Sequence, residues 1–191
     1  MVKIIVSGFG GQGILFLGKI IIKCGISQKM RGTFLPSYGP EMRGGTANCH
    51  VTLYKSKNAV YSPIITNPDI LISMNNQSFE EFKDTVKPGG TIFANDFHVK
   101  NNKSVTDVNL HCFPLKKIAE EIKCNGKENM VILGAFIKLT EIFKFEEIVE
   151  TMKNSISKST ENLKIKNELI ENNKRAINAG FEFAKVNYPT S

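Results

Sequence analysis

The first apolar run of the chain, VKIIV at 2–6, barely alternates and ends near a glycine, the pattern of a buried parallel strand. From about Gln12 the period changes. Ile14, Leu17, Gly18, Ile21 and Ile22 recur at helical spacing, and Gly25 is the expected stop. Gly18 inside that helix costs roughly 1 kcal/mol against Ala, which predicts close approach of another backbone. RGTFLP at 31–36 is a weaker strand, the Gly- and Pro-rich stretch around YGPEMRGG is a loop, and TANCHVTLY at 46–54 has strand residues with partial alternation, followed by a turn at KSKN. DILISMN is another buried strand. SFEEFKDTV is a helix that Ser78 can cap and KPGG ends, and TIFAND is a strand. A further strand within 104–113 leads into the helix PLKKIAEEI.

The pattern then loses its strands. NMVILGAFIKLTEIF, FEEIVETMKNSI and ELIENNKRAINAGFEFAK are three helical stretches in succession. Alternating β and α followed by an all-helical end predicts an α/β fold, a mostly parallel sheet with helices on both faces and an all-helical C-terminal segment. With 191 residues the chain suits one domain, 1–191.

Charge sharpens the picture. Of the net +7, residues 1–40 supply five charges, Lys3, Lys19, Lys23, Lys29 and Arg31, with no Asp or Glu among them. A basic balance suits nucleic acid, but no zinc-finger spacing, RNP-like aromatic pair or helix-turn-helix accompanies it, so no nucleic-acid partner is expected. A small phosphorylated ligand or an acidic protein partner fits the localised bias. No signal peptide is read at the N-terminus, and ILFLGKIIIKCGI, interrupted by Lys19 and Lys23, is too short to span a bilayer. The expectation is a cytoplasmic protein without a membrane partner. Cys24, Cys49, Cys112 and Cys124 lack the close spacing that holds zinc or an iron–sulfur cluster and are expected to be reduced thiols. Cys49 and His50, adjacent on a strand, point to opposite faces and do not make a metal pair.

Two glycine-rich loops carry the candidate chemistry. Gly8, Gly10 and Gly13 satisfy G-x-G-x-x-G between a strand and a helix, a seat for an anion at a helix N-terminus. The dinucleotide reading also needs an acid about 20 residues further on. Lys29 and Arg31 stand there instead, leaving only an NADP variant in which Arg31 meets a ribose phosphate. The backbone N–H groups of Gly10, Gly11, Gln12 and Gly13 are the candidate phosphate ligands. Lys19 and Lys23, four apart on one helix face, repel by a few tenths of a kcal/mol unless an anion lies nearby. In the second loop Pro40 and Gly44–Gly45 restrict and shape the backbone around Arg43, a planar fork suited to phosphate or carboxylate. Asn75 and Asn95–Asp96, at the carboxyl ends of expected parallel strands, are secondary candidates. His50, His98 and His111 are read as structural.

GFGGQG at 8–13, PSYGPEMRGGTANCHV at 36–51, SP at 62–63, PDILISMN at 68–75 and VKPGG at 86–90 follow one another in this order. As a set they resemble the gamma subunit, or gamma domain, of the 2-oxoacid:ferredoxin oxidoreductases. Within that family YGPEMRGGTAN resembles the 2-oxoglutarate and branched-chain 2-oxoacid enzymes, and indolepyruvate enzymes less. The resemblance implies oxidative decarboxylation of a 2-oxoacid, most readily 2-oxoglutarate, to its acyl-CoA, with electrons passed to ferredoxin. It places thiamine diphosphate, magnesium and iron–sulfur clusters on alpha, beta and ferredoxin-like delta partner subunits, with none resident here. It leaves this chain to pack on the thiamine-binding subunits and to help bind coenzyme A, with Gly8, Gly10, Gly11, Gln12, Gly13, Lys19 and Arg43 as the binding set and no catalytic acid or base.

Overall fold

A computed structural model of the chain describes residues 1–38, 46–56, 62–96, 105–157 and 162–189. These fall into two compact units, Met1–Pro114 and Leu115–Ser191.

The first unit is a six-stranded sheet in the order β2-β3-β1-β4-β5-β6. Its strands are β1 (Val2–Phe9), β2 (Arg31–Tyr38), β3 (Thr46–Tyr54), β4 (Ile70–Ser73), β5 (Thr91–Asn95) and β6 (Asn109–Phe113). β1, β4, β5 and β6 pair in parallel, whereas β3 is antiparallel to both β1 and β2. Five of the six strands therefore run the same way, and only β3 is reversed.

The pairing register assigns the faces. Ile4 lies opposite Val51 and Ile70, and Val6 opposite Cys49 and Ile72, so these side chains share one face. Helix α1 (Ile14–Ser27) lies on it: a Cβ at Gly18 would meet Cys49 Sγ and the Phe34 and Val51 side chains, and one at Gly25 would meet Leu53. Ile5, Leu71, Ile92 and Ala94 occupy the other face with Ile65, Phe79 and Val86 as a buried cluster. Phe79 belongs to α2 (Asn76–Phe82), which a 3-10 turn, Lys83–Thr85, extends. Helices thus cover both faces, as the alternation of elements predicts.

Three local expectations need correction. Gly25 does not stop α1, which continues to Ser27 and is capped at Gln28. Gly25 is required instead because Leu53 occupies the space its side chain would take. Gly18 admits side chains rather than another backbone, the Cys49 sulfur foremost. Ser78 does not cap α2. Asn75 does, its Oδ1 accepting the Ser78 N–H at 2.8 Å, because an Asx side chain one turn earlier reaches the orphan donor better than a residue already inside the helix.

The second unit is wholly helical: α3 (Leu115–Glu121), α4 (Glu128–Thr140), α5 (Phe145–Ser157) and α6 (Leu163–Asn187). α4 is buried from Asn129 to Ile137 without a break. It meets α6 at a pair of glycines. A Cβ on Gly134 would strike the backbone of Ile177, and one on Gly180 the backbone of Val131. Phe145 of α5 packs edge-on against Phe181 of α6 at 5.5 Å between ring centres.

Candidate functional site

Ligands of open α/β sheets bind beyond the carboxyl ends of the parallel strands, where connections leave to opposite sides. That point lies here between β1 and β4. β1 continues through α1 toward β2, and β4 through α2 on the other face toward β5. The glycine loop, Met74–Asn75 and Asn95–Asp96 all lie at this edge.

The loop is built by its own hydrogen bonds. The Gln12 N–H donates to Phe9 O at 3.1 Å, and the Phe9 N–H donates to Gln12 Oε1 at 2.7 Å. Gly11 at φ 96° and Gly13 at φ 73° take the left-handed conformation that this turn requires. A Cβ on Gly8 would come within 2.7 Å of Gln12 Oε1, so Gly8 makes room for the same side chain. Gln12 then reaches across to the next strand: its Nε2 donates to Met74 O at 3.4 Å, and Asn75 Nδ2 donates to Gln12 Oε1 at 3.4 Å. This side chain ties the glycine loop to the residues that follow β4.

Of the four backbone N–H groups in the candidate set, that of Gln12 is thus engaged within the turn. Gly10 and Gly11 are exposed. α1 follows an N-cap at Gly13 with no side-chain cap hydrogen bond and no acidic residue in its first turn, so its own residues leave the positive end of its dipole unbalanced. Lys19 is exposed on α1 one turn and more from that end.

Arg43 lies outside the described residues, as does His98. The strands that lead to and from 39–45 are nevertheless in place. Phe9 pairs with Thr46, Gly8 with Ala47, and Tyr38 with Ala47, so both ends of the segment carrying Arg43 meet the sheet beside the glycine loop. Arg31 is at the far end of the sheet. It opens β2 opposite Tyr54, next to the pairing of Leu53 with Val2. Separation by the full length of β1, about 25 Å for eight residues, removes the NADP reading that joined Arg31 to the glycine loop.

Sequence reasoning did not single out a group of oxygens at the same edge. Ser7 Oγ, Asn48 Oδ1, Ser78 Oγ and Asn95 Oδ1 are buried without a hydrogen-bond partner among the described residues. Ser7 and Asn48 are directly opposed on the α2 side of the sheet. Each such atom costs about 1–3 kcal/mol until a donor reaches it. The only signal available in sequence was their position at strand ends, which served equally for the capping role that Asn75 fulfils.

His50, His111 and the cysteines engage in contacts within the first unit and the helical unit that are of a structural kind. His50 Nδ1 accepts the Ile65 N–H at 2.8 Å, and burial lowers its pKa. His111 packs on Phe93 at 5.8 Å and is lowered for the same reason. Burial pushes the Cys49 thiol up to about 12, against a smaller opposing hydrogen bond from Gly18. All four cysteines are free thiols. Among the described residues no three His, Cys, Asp or Glu side chains converge to hold a metal, and no helix is long and apolar enough to cross a membrane.

Comparison with known proteins fits this arrangement. The profile of the family described as pyruvate ferredoxin/flavodoxin oxidoreductase matches residues 3–183. The 2-oxoglutarate synthase subunit KorC of Methanocaldococcus jannaschii is 34% identical over 186 residues, 96% of this chain and 94% of that subunit. The ketoisovalerate oxidoreductase subunit VorA of Methanothermobacter marburgensis is 31% identical over 97% of this chain, which spans only 37% of VorA. The 2-oxoglutarate:ferredoxin oxidoreductase of Magnetococcus marinus, solved with 2-oxoglutarate, coenzyme A and succinyl-CoA bound, superposes with a TM-score of 0.81 at 25% identity, covering 100% of this chain and 32% of its own. The chain belongs to the pyruvate ferredoxin/flavodoxin oxidoreductase family, as a gamma-type subunit of a 2-oxoacid:ferredoxin oxidoreductase.

Proposed function

We propose that this subunit serves an enzyme that converts 2-oxoglutarate to succinyl-CoA with reduction of ferredoxin, and that its strand-end edge holds part of coenzyme A. The observation that carries the substrate is the end-to-end similarity to KorC, at 34% identity over nearly the whole of both chains. VorA, at 31%, supports a branched-chain 2-oxoacid as the second reading. In this scheme thiamine diphosphate, magnesium and the clusters reside on alpha, beta and delta partner subunits.

The edge suits a polyanion with polar amides. The exposed N–H groups of Gly10 and Gly11 and the uncapped start of α1 receive a phosphate, with Gly13 and Gly8 shaping the turn and Gln12 fixing it from within. Lys19 adds long-range attraction, and Arg43, whose guanidinium suits a phosphate, is assigned a second one in this reading. Asn48 Oδ1 offers an acceptor to a ligand N–H. When bound, coenzyme A supplies the thiol that receives the acyl group. This chain binds and orients it, and no proton is assigned to any of its residues.

The test is made on the complex purified anaerobically with its partners. Ferredoxin reduction is followed with 2-oxoglutarate and with ketoisovalerate while coenzyme A is titrated. The expected result is a higher kcat/KM for 2-oxoglutarate and, in Arg43→Ala, a KM for coenzyme A raised about tenfold, for one lost charge-assisted pair. Preference for ketoisovalerate transfers the subunit to the branched-chain enzyme. An unchanged KM in Arg43→Ala removes Arg43 from the binding set.

A further inference from the structure

The helical unit contains a cavity of about 490 Å³ between α6, the start of α5 and the turn that follows α3. That volume lies within the ~300–1,000 Å³ range of small-molecule sites. Its apolar part is Ile122, Phe145 and Ala179. The Phe145 ring packs edge-on against Phe181 at 5.5 Å between centres, so this wall is in place before any ligand arrives. Polar groups come from one side of α6. Glu171, Lys174, Arg175 and Asn178 stand at i, i+3, i+4 and i+7, a spacing that gathers them on one stripe of the helix.

The charges on this stripe depart from the habit of the chain. Five ion pairs among the described residues join side chains three or four positions apart, as Lys116–Glu120 and Lys117–Glu121 do. Glu171 has Lys174 and Arg175 at those spacings, in the favourable order with the acid first. It pairs with neither among the described residues. Arg175 turns instead to the Ile122 carbonyl oxygen, to which its Nη2 donates. That bond steadies the guanidinium at the cavity and leaves most of its N–H donors for another acceptor. Lys174 also borders a second cavity of about 380 Å³, and among the described residues it forms no ion pair with the acids there, Glu146 and Glu150.

Charge and size together select the ligand. Lys174 and Arg175 against Glu171 leave one net positive charge at the rim, which matches a monoanion, whereas a phosphate dianion meets the Glu171 carboxylate. At ~30 Å³ per water the cavity is many times larger than an inorganic ion needs, and its apolar part favours a hydrocarbon body. We propose that this cavity binds a small monocarboxylate with an apolar body. The Arg175 fork and Lys174 hold the carboxylate, and the body lies on Phe145, Ile122 and Ala179. All of these residues belong to Leu115–Ser191, and none is shared with the edge assigned to coenzyme A.

The test uses the full chain, labelled with nitrogen-15, titrated with 3-phenylpropanoate and followed by NMR. Saturable shifts are expected at the Ala179 amide, the Asn178 side-chain amide and Arg175 Nε–H, with a Kd of about 1 mM for a ligand of this size. The uncharged isostere 3-phenylpropanamide is expected to bind about tenfold more weakly. The same loss is expected for 3-phenylpropanoate with Lys174→Gln, and Lys174→Arg retains binding. Lys174 is exposed, and an unchanged melting temperature verifies that both variants are folded. Shifts that fail to saturate, or that spread evenly over both units, overturn the proposal. So does equal affinity for the amide, or wild-type affinity in folded Lys174→Gln. Inorganic phosphate that produces the same shifts with equal affinity overturns it in favour of a site for simple anions.

Discussion

Gly180→Ala is the most informative single change in the helical unit. On an exposed helix that substitution gains about 1 kcal/mol, since Ala is the better helix former. Here the added carbon would meet the Val131 carbonyl oxygen, with the Val131 carbon at 2.7 Å and its Cα at 3.0 Å. All three are backbone atoms of α4, so no rotamer change relieves the contact, and the two helices must separate by a sizeable fraction of an ångström along a buried seam. Overpacking of this kind costs about 1–3 kcal/mol and more where the backbone itself must move. Taking about 3 for the separation and subtracting the propensity gain leaves a net loss of about 2 kcal/mol. For a chain of this size that is a fall in Tm of about 4–8 °C. Calorimetry and urea unfolding of the purified chain read it directly. Gly134→Ala should behave alike, because its Cβ would meet Ile177 C at 2.8 Å and Phe181 N at 2.7 Å. The double variant should lose less than the sum, one separation relieving both clashes. A neutral or stabilising Gly180→Ala would refute the close crossing of α4 and α6.

Other outcomes follow from the sheet unit. Gly18→Ala should destabilise by about 1–2 kcal/mol through contact with Cys49 Sγ, and Cys49→Ala should restore most of it, read by urea denaturation of the double-mutant cycle. Gln12→Ala strips the Phe9 N–H and Met74 O of their partner and should cost about 1–3 kcal/mol, with faster amide exchange at Phe9. Burial holds His50 and His111 below the ordinary imidazole value of 6.5, so the unfolded chain binds the proton first. Their stabilising contribution is present above about 6.5 and is lost as pH falls below it toward the lowered folded values. Protonated His50 also cannot accept the Ile65 N–H. His50→Gln should therefore flatten the acid limb of a stability–pH curve.

The strand and helix order was readable because burial and period coincide: VKIIV, TANCHVTLY and DILISMN each became the strand their residues suggested. The misreadings share a cause. Gly25 and Gly18 signal a shortage of space, and sequence does not reveal whether the neighbour is a chain end, a backbone or the sulfur of Cys49. Ser78 and Asn75 are both capping residues, and only the backbone geometry of the helix start selects between them. At the glycine loop the spacing announced a turn before a helix but not the use of Gln12, since a side chain bridging to Met74 depends on a strand 62 residues away.

That bridge makes one side chain answerable for two neighbouring elements. A parallel sheet with a glycine turn at its central strand is a common frame for nucleotide binding, and here a glutamine of the turn itself ties that turn to the end of the neighbouring strand. Trimming residue 12 to glycine would cut that tie and leave the Phe9 N–H of β1 without its partner, so one side chain governs both the end of the central strand and the shape of the turn beside it.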